Sequence, residues 1–196
     1  MDANDQTENT RTSTTKLTYE DFLLFPDDGQ RHELIDGEHY VTPSPIVRHQ
    51  RLLRRLTEAL LSYLKEHALG ELFFAPLDCV FTNFDVVEPD LLLVTNDQRH
   101  ILTEKHIRGA PALVVEILSA GTRRVDERLK RDLYDRVGVR EYWVIDPDAD
   151  TIVIYRRTDD GQFLRAGEVS SQANEALATP LLPAFSLPLS EFFQRS

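Results

Sequence analysis

Cysteine is almost missing from this chain. Cys79 stands alone among 196 residues, which excludes an internal disulfide and any zinc site built on several thiolates, and suits a reducing cytoplasm. Positive charge is scarce too: 22 Lys and Arg face 33 Asp and Glu, for a formal net charge of -11. Phosphate contacts need clustered Lys and Arg, so this balance argues against an indiscriminate nucleic-acid binder. It still leaves room for a local basic groove, or for a metal site that neutralises part of the acidity. Long apolar runs are absent. Leu91 to Val94 is typical, far short of the ~20 residues that cross a bilayer, so no membrane partner is expected. Residues 1–15 lack the apolar stretch of a secretory signal and are expected to form a disordered lead-in. What remains, 41% hydrophobic and 28% charged, has the composition of an ordinary globular domain, here 16–196, long enough to bury a sizeable core.

Thr18, followed by Tyr19-Glu20-Asp21-Phe22, predicts a short helix with a capping hydroxyl and acids in its first turn. Asp36-Gly37 between His32–Ile35 and His39–Val41 predicts a hairpin. From His49 to His67, Leu52, Leu53, Leu56, Leu60 and Leu64 recur at helical spacing. Arg48, Arg51 and Arg55 fall three and four apart on another face of that helix. Leu72 to Phe81 predicts one bent or two short strands around Pro76, and Val86 to Val94 a single strand. Leu113 to Leu118 is the best candidate for a strand buried on both faces. Asp126 to Val137 predicts a helix whose apolar seam is Leu129, Leu133 and Val137, ending at Gly138. Tyr142–Asp146 and Thr151–Tyr155 follow as strands, with Phe163-Leu164 adding one more, and Leu181 to Phe193 packs as a tail. A helix, clustered strands, a helix and a strand point to an α+β or α/β sheet flanked by helices.

Two carboxylates, Asp90 and Glu116, interrupt runs apolar enough to be buried strands. An ionised carboxylate in such a place costs several kcal/mol unless something pairs with it. On adjacent strands the two can face one sheet edge and share a hard cation such as Mg²⁺, which takes oxygen ligands and keeps several waters. Such an ion activates water and neutralises charge on a phosphoryl group. Lys130, with Asp126 and Tyr134 four residues to either side, can lean over the strand bearing Glu116. Read alone, Lys130 is more often a solvated helix lysine. Glu33, His49 and the three arginines are, one by one, ordinary surface or packing residues.

Several separated motifs then converge. His32-Glu33-Leu34-Ile35-Asp36-Gly37-Glu38, Ser44-Pro45, His49 and Glu88-Pro89-Asp90-Leu91 are followed by Gly109-Ala110-Pro111 to Ser119, Asp126, Lys130, Tyr134, Gly138-Val139 and Glu141-Tyr142-Trp143. In this order, over about 17–193, they resemble the Uma2 family of restriction-endonuclease-like proteins. The resemblance implies a PD-(D/E)xK nuclease-like fold, a mixed sheet with an αβββαβ core, and a Mg²⁺- or Mn²⁺-dependent endonuclease acting on DNA. In that fold Asp90 and Glu116 would bind the metal. The usual lysine two residues after the glutamate is Leu118 here, and the resemblance implies that Lys130 supplies it from the next helix. Glu33 would match an additional acid near the metal. Ala120-Gly121 departs from the Pro-Ser more usual after the serine. The candidate catalytic residues are therefore Asp90, Glu116, Lys130 and Glu33. Arg48, His49, Arg51, Arg55 and Tyr134 are candidates for binding substrate. The alternative is a non-catalytic nucleic-acid- or protein-binding module on the same scaffold, a homodimer through an exposed sheet face, which the acidic balance favours.

Overall fold

The computed structural model describes residues 15–119, 121 and 123–195; the expected lead-in, Thr15 apart, lies outside them. Helix α1, Tyr19–Phe22, starts at Thr18, where the backbone N–H of Thr18 donates to Asp21 and that of Asp21 donates back to the Thr18 hydroxyl. Strands β1, Arg31–Ile35, and β2, Glu38–Thr42, form the expected hairpin. Its two turn residues, Asp36 and Gly37, take φ of 54° and 76°, the left-handed pair that a two-residue hairpin turn demands. Helix α2 runs Val47–Glu66 and buries Leu52, Leu56, Leu60 and Leu64, the stripe its periodicity foretold.

One segment expected to be continuous is instead divided between sheets. Val86–Val94 is not one strand: β5, Asp85–Val87, and β6, Leu91–Thr95, flank a break at Glu88-Pro89-Asp90. Pro89 has no N–H to give a ladder, and the N–H of Glu88 donates to the Glu33 carboxylate at 2.9 Å. Likewise β3, Gly70–Phe74, and β4, Cys79–Thr82, part around Pro76. The 95–109 loop carries a short 3₁₀ turn, Asn96–Ile101, and β7, Ile107–Arg108. Then come β8, Leu113–Ile117, an interrupted helix ending in α3, Arg131–Val137, and the strands β9, Glu141–Asp146, β10, Thr151–Arg157, and β11, Phe163–Ser170.

The main sheet has the order β11-β10-β9-β8-β6-β3, with β8 parallel to β9 and the other pairs antiparallel. From α2 onward its core reads αβββαβ, a mixed α+β fold of the restriction-endonuclease type. One face packs Leu91, Leu93, Leu113, Val115 and Trp143 against α2. The other packs Leu92, Val114 and Tyr142 against Leu133 and Tyr134 of α3. A second sheet, β2-β1-β5-β4-β7, closes over that side. Every residue of β8 is buried, as a strand covered on both faces requires.

One further expectation is corrected. The helix before α3 contains a π-helical stretch, Val125–Lys130, and Leu129 is 37% exposed, not in an apolar seam. The inward face there is Asp126, Lys130, Leu133 and Tyr134, because acids on neighbouring strands receive the lysine. The tail after 175 is a hairpin, β12, Ala176–Thr179, with β13, Leu182–Pro188, followed by α4, Leu189–Phe192. Among the described residues no helix is long and apolar enough to cross a membrane.

Candidate active centre

Lys130 sits at the middle of a buried polar knot, 3% exposed. Its Nζ lies 2.9 Å from Glu33 Oε1, 2.9 Å from Glu116 Oε1 and 3.6 Å from Asp126 Oδ1. Three elements converge to make this contact: β1 brings Glu33, β8 brings Glu116, and the π-helical turn brings Asp126 and Lys130. Tyr134, one turn on, donates its hydroxyl to Glu116 Oε1 at 2.8 Å. Glu33 also accepts from the N–H of Glu88 and, at 3.4 Å, from Thr42. The spacing of Asp126, Lys130 and Tyr134 therefore does put all three on the Glu116 side.

Asp90 is fixed from three directions. Arg31 of β1 donates to its Oδ1 at 2.9 Å. His49, in the first turn of α2, meets its Oδ2 at 3.0 Å, and the N–H of Ile117 donates to the same oxygen at 2.9 Å. In the β6–β8 register Leu91 faces Val115, so Asp90 comes level with Glu116 on the same side of the sheet. The break that ends β5 is what delivers Asp90 to this point.

Charge does not close within the knot. Four buried carboxylates, Glu33, Asp90, Glu116 and Asp126, meet two permanent cations, Lys130 and Arg31. Burial would raise Asp90, but the hydrogen bond and charge of His49, the Arg31 guanidinium and the Ile117 amide outweigh it and hold its carboxyl at about 2. Glu116 goes the other way. Burial, reinforced by the like charges of Asp126, Asp90 and Glu33, pushes it up to about 8 against the pull of Lys130. Lys130 is discouraged by burial, yet Glu116, Glu33 and Asp126 hold its pKa well above the ordinary lysine value. The ammonium stays charged.

The donor set suits a hard divalent ion in chemistry and in charge: carboxylate oxygens with an excess of two negative charges when all four are ionised. Among the described residues no three His, Cys, Asp or Glu side chains converge as a ready-made cage. Mg²⁺ held by one or two carboxylates and water needs none. Asp90, Glu116, Lys130 and His49 line a crevice with about 10 Å³ of free volume, roofed by Pro43 and Pro45. That is room for about one water. Arg31, Thr42, Pro43, Pro45 and Asp90 also line a wider cleft of about 440 Å³ that leads outward.

The remaining candidates divide. His49 and Tyr134 belong to the knot through Asp90 and Glu116. The arginines lie on another side of α2, around a cavity of about 360 Å³ that Arg195 also lines. Arg48 is bonded to the carbonyl of Pro147 and to Asp150, and Arg55 to the carbonyls of Phe192 and Gln194. Both thus hold the fold together, while the Arg51 guanidinium makes no hydrogen bond among the described residues. Arg31 was missed, although period two on a strand places it on the face of Glu33. Glu88 was missed as well. Burial and the nearby Asp78 and Glu33 push its carboxyl up to about 7.

No curated protein matches this sequence. Among solved structures, one titled as a putative nuclease belonging to DUF820 from Anabaena variabilis ATCC 29413 superposes with a TM-score of 0.71 at 21% identity, over 90% of this chain and 97% of that one. At that identity the likeness is one of fold. The type IIG restriction endonuclease BpuSI aligns with a TM-score of 0.41 at 16% identity, over 75% of this chain and 15% of its own. The family model Uma2, described as "Putative restriction endonuclease", matches residues 19–190. The chain belongs to the Uma2 family.

Proposed function

We propose that this protein is a divalent-metal-dependent nuclease that hydrolyses phosphodiester bonds of DNA, with Asp90 and Glu116 as ligands of Mg²⁺ or Mn²⁺. The observation that carries the reading is the buried knot itself: three carboxylates around one ammonium and a fourth, Asp90, level with Glu116, beside a water-sized crevice at the foot of an open cleft. Its family and its structural neighbour support the class of reaction. The chemistry that a bound divalent ion supplies there is activation of a water and neutralisation of charge on the phosphoryl group.

The chain's own groups do the rest. Lys130, kept cationic by its three acids, presents a fixed positive charge at the crevice for the phosphoryl oxygens in the transition state. Glu33 anchors that ammonium and ties it to the backbone at Glu88. His49 and the Ile117 amide hold the Asp90 carboxylate rotamer, and Tyr134 does the same for Glu116, so these two are positioning residues. Pro43 and Pro45 keep bulk water from the crevice. Arg51 is the arginine of α2 with a guanidinium free for a backbone phosphate. A cytoplasmic setting and a homodimer belong to this proposal as expectations.

The test is cleavage of DNA by rigorously purified protein with Mg²⁺ or Mn²⁺. Asp90→Ala and Glu116→Ala should each abolish it, as should a chelator; activity that survives both substitutions would refute the assignment. One observation favours the second reading, a binding module: both Asp90 oxygens already carry hydrogen bonds. Calorimetry separates the two. Nucleic acid bound without any uptake of Mn²⁺ would identify the module.

A further inference from the structure

Charge on one side of α2 runs against the balance of the whole chain. The formal net charge is -11, yet the cavity of about 360 Å³ beside this helix is lined by Arg48, Arg51, Arg55 and Arg195, with Asp148 as the acid in its wall. Arg48 is matched within the protein: it pairs with Asp150 and donates Nε to the carbonyl of Pro147 at 2.8 Å. Arg55 is held but not neutralised. Its bonds to the carbonyls of Phe192 and Gln194, at 2.9 and 2.6 Å, both use Nη1. They leave Nε and Nη2, the guanidinium edge that grips an oxyanion through two parallel bonds. Arg51 makes no hydrogen bond or ion pair among the described residues. Arg51 and Arg55 stand four apart on the helix, where like charges are neighbours and repel.

We propose that this cavity is a phosphate subsite outside the metal centre, where Arg51 and Arg55 together hold a backbone phosphate of a nucleic-acid strand other than the scissile one. A phosphodiester brings one negative charge and two non-bridging oxygens, so it can engage both guanidiniums and turn their repulsion into attraction. Arg55, already fixed by two carbonyls, loses little freedom when the anion arrives. The helix joins the subsite to the centre. His49, two residues before Arg51, holds Asp90, and the arginines border the cavity on another side of α2. An α-helix with its side chains is ~10–12 Å across, so a strand crossing the first turns of α2 spans both places. An acidic protein repels that strand over most of its surface, and a local cluster of positive charge then fixes where it lands. The choice of nucleic acid as the source of the phosphate rests on the nuclease reading above; the anion site itself does not.

The full chain is titrated into a fluorescent DNA duplex in the presence of a chelator, so that hydrolysis plays no part, and affinity is read by anisotropy as salt rises. Each phosphate contact contributes about 0.9 to the slope of log affinity against log salt on duplex DNA. Arg51→Gln should remove about one contact from that slope, so its deficit against the unaltered protein narrows roughly threefold between about 50 and 200 mM salt. Arg55→Lys keeps the charge and loses the two-pronged edge, and should weaken binding with the slope retained. Arg54→Gln removes a charge from the same helix, but Arg54 pairs with Glu58 and does not line the cavity; its slope should match that of the unaltered protein. Equal slopes for Arg51→Gln and the unaltered protein, or an equal loss in Arg51→Gln and Arg54→Gln, overturn the proposal. So does displacement of the duplex by inorganic phosphate or polyglutamate as readily as by unlabelled DNA. A slope lowered by Arg51→Gln in a protein that cleaves nothing would uphold the subsite and refute the nuclease. Metal-dependent cleavage with an unaltered slope would do the reverse.

Discussion

Two buried glutamates on adjacent strands have opposite surroundings. Glu141, on β9, is 1% exposed and receives the Trp143 indole N–H at 2.6 Å, Arg156 Nε at 2.8 Å and the Thr179 hydroxyl at 3.0 Å. One carboxylate meets one guanidinium and two neutral donors, so its charge and its hydrogen bonds are satisfied within the protein. Glu116, on β8, is 3% exposed and shares one ammonium with Glu33 and Asp126, with Asp90 close by. Burial of a carboxylate is therefore a poor marker of chemistry by itself. An excess of like charge beside a crevice marks it better, because there the protein's own cations leave negative charge unbalanced.

That contrast predicts opposite phenotypes. Glu116→Gln should lower metal-dependent cleavage by about a thousandfold or more, which is ~4 kcal/mol in the barrier, and leave stability unchanged or raised, since it relieves crowded negative charge. Glu141→Ala should leave activity per folded molecule within about twofold and cost roughly 3–5 kcal/mol of stability, because it strands Arg156 in a partly buried site. Denaturant melts alongside steady-state rates on both variants check the pair. If Glu116→Gln proves the more destabilising of the two, the two glutamates are alike and the distinction falls.

The pH dependence sharpens it further. The Glu116 carboxyl is raised from an ordinary 4.5 to about 8. Its contribution to stability is thus present below the ordinary carboxylate range and is lost as pH rises through about 8. A ligand must also shed its proton before it can bind a metal, so Mn²⁺ affinity should gain about tenfold per pH unit up to about pH 8 and then level off. Melting temperatures from pH 5 to 9, with and without Mn²⁺, follow both trends. The metal-free protein should weaken as pH rises, the metal should offset that loss, and Glu116→Gln should flatten both curves.

Much of this centre was legible in the sequence, and the reasons differ by residue. Glu116 stood out because a charged residue inside Leu113–Leu118 breaks an otherwise apolar strand. Lys130 was legible only together with Asp126 and Tyr134, through helical spacing. Arg31 was not singled out, because an arginine at a strand end is usually solvated and nothing local tells that Asp90, 59 residues away, lies within 2.9 Å. The division of Val86–Val94 into two sheets was marked by Pro89 all along. The apolar count around Pro89 outweighed it, since periodicity does not say which of two sheets a strand joins. Leu129 failed for a related reason. An amphipathic pattern assigns the apolar face to the interior, whereas here that turn presents an acid and an ammonium to buried carboxylates.

Arg31 also provides the smallest and most discriminating test. Its guanidinium occupies Asp90 Oδ1, the side from which a divalent ion bound to that carboxylate would compete. Two cations contending for one oxygen weaken each other's binding, so Arg31→Met should tighten Mn²⁺ by several-fold, about 1 kcal/mol at 1.36 kcal/mol per decade. His49 and the Ile117 amide keep the carboxylate in place when the arginine is gone, which limits the cost to the fold. In a pure binding module the ion pair is structural. The same substitution would then lower the melting temperature, and calorimetry would detect no Mn²⁺ at any pH. The sign of one affinity change thus separates an arginine that competes with a metal from an arginine that replaces it.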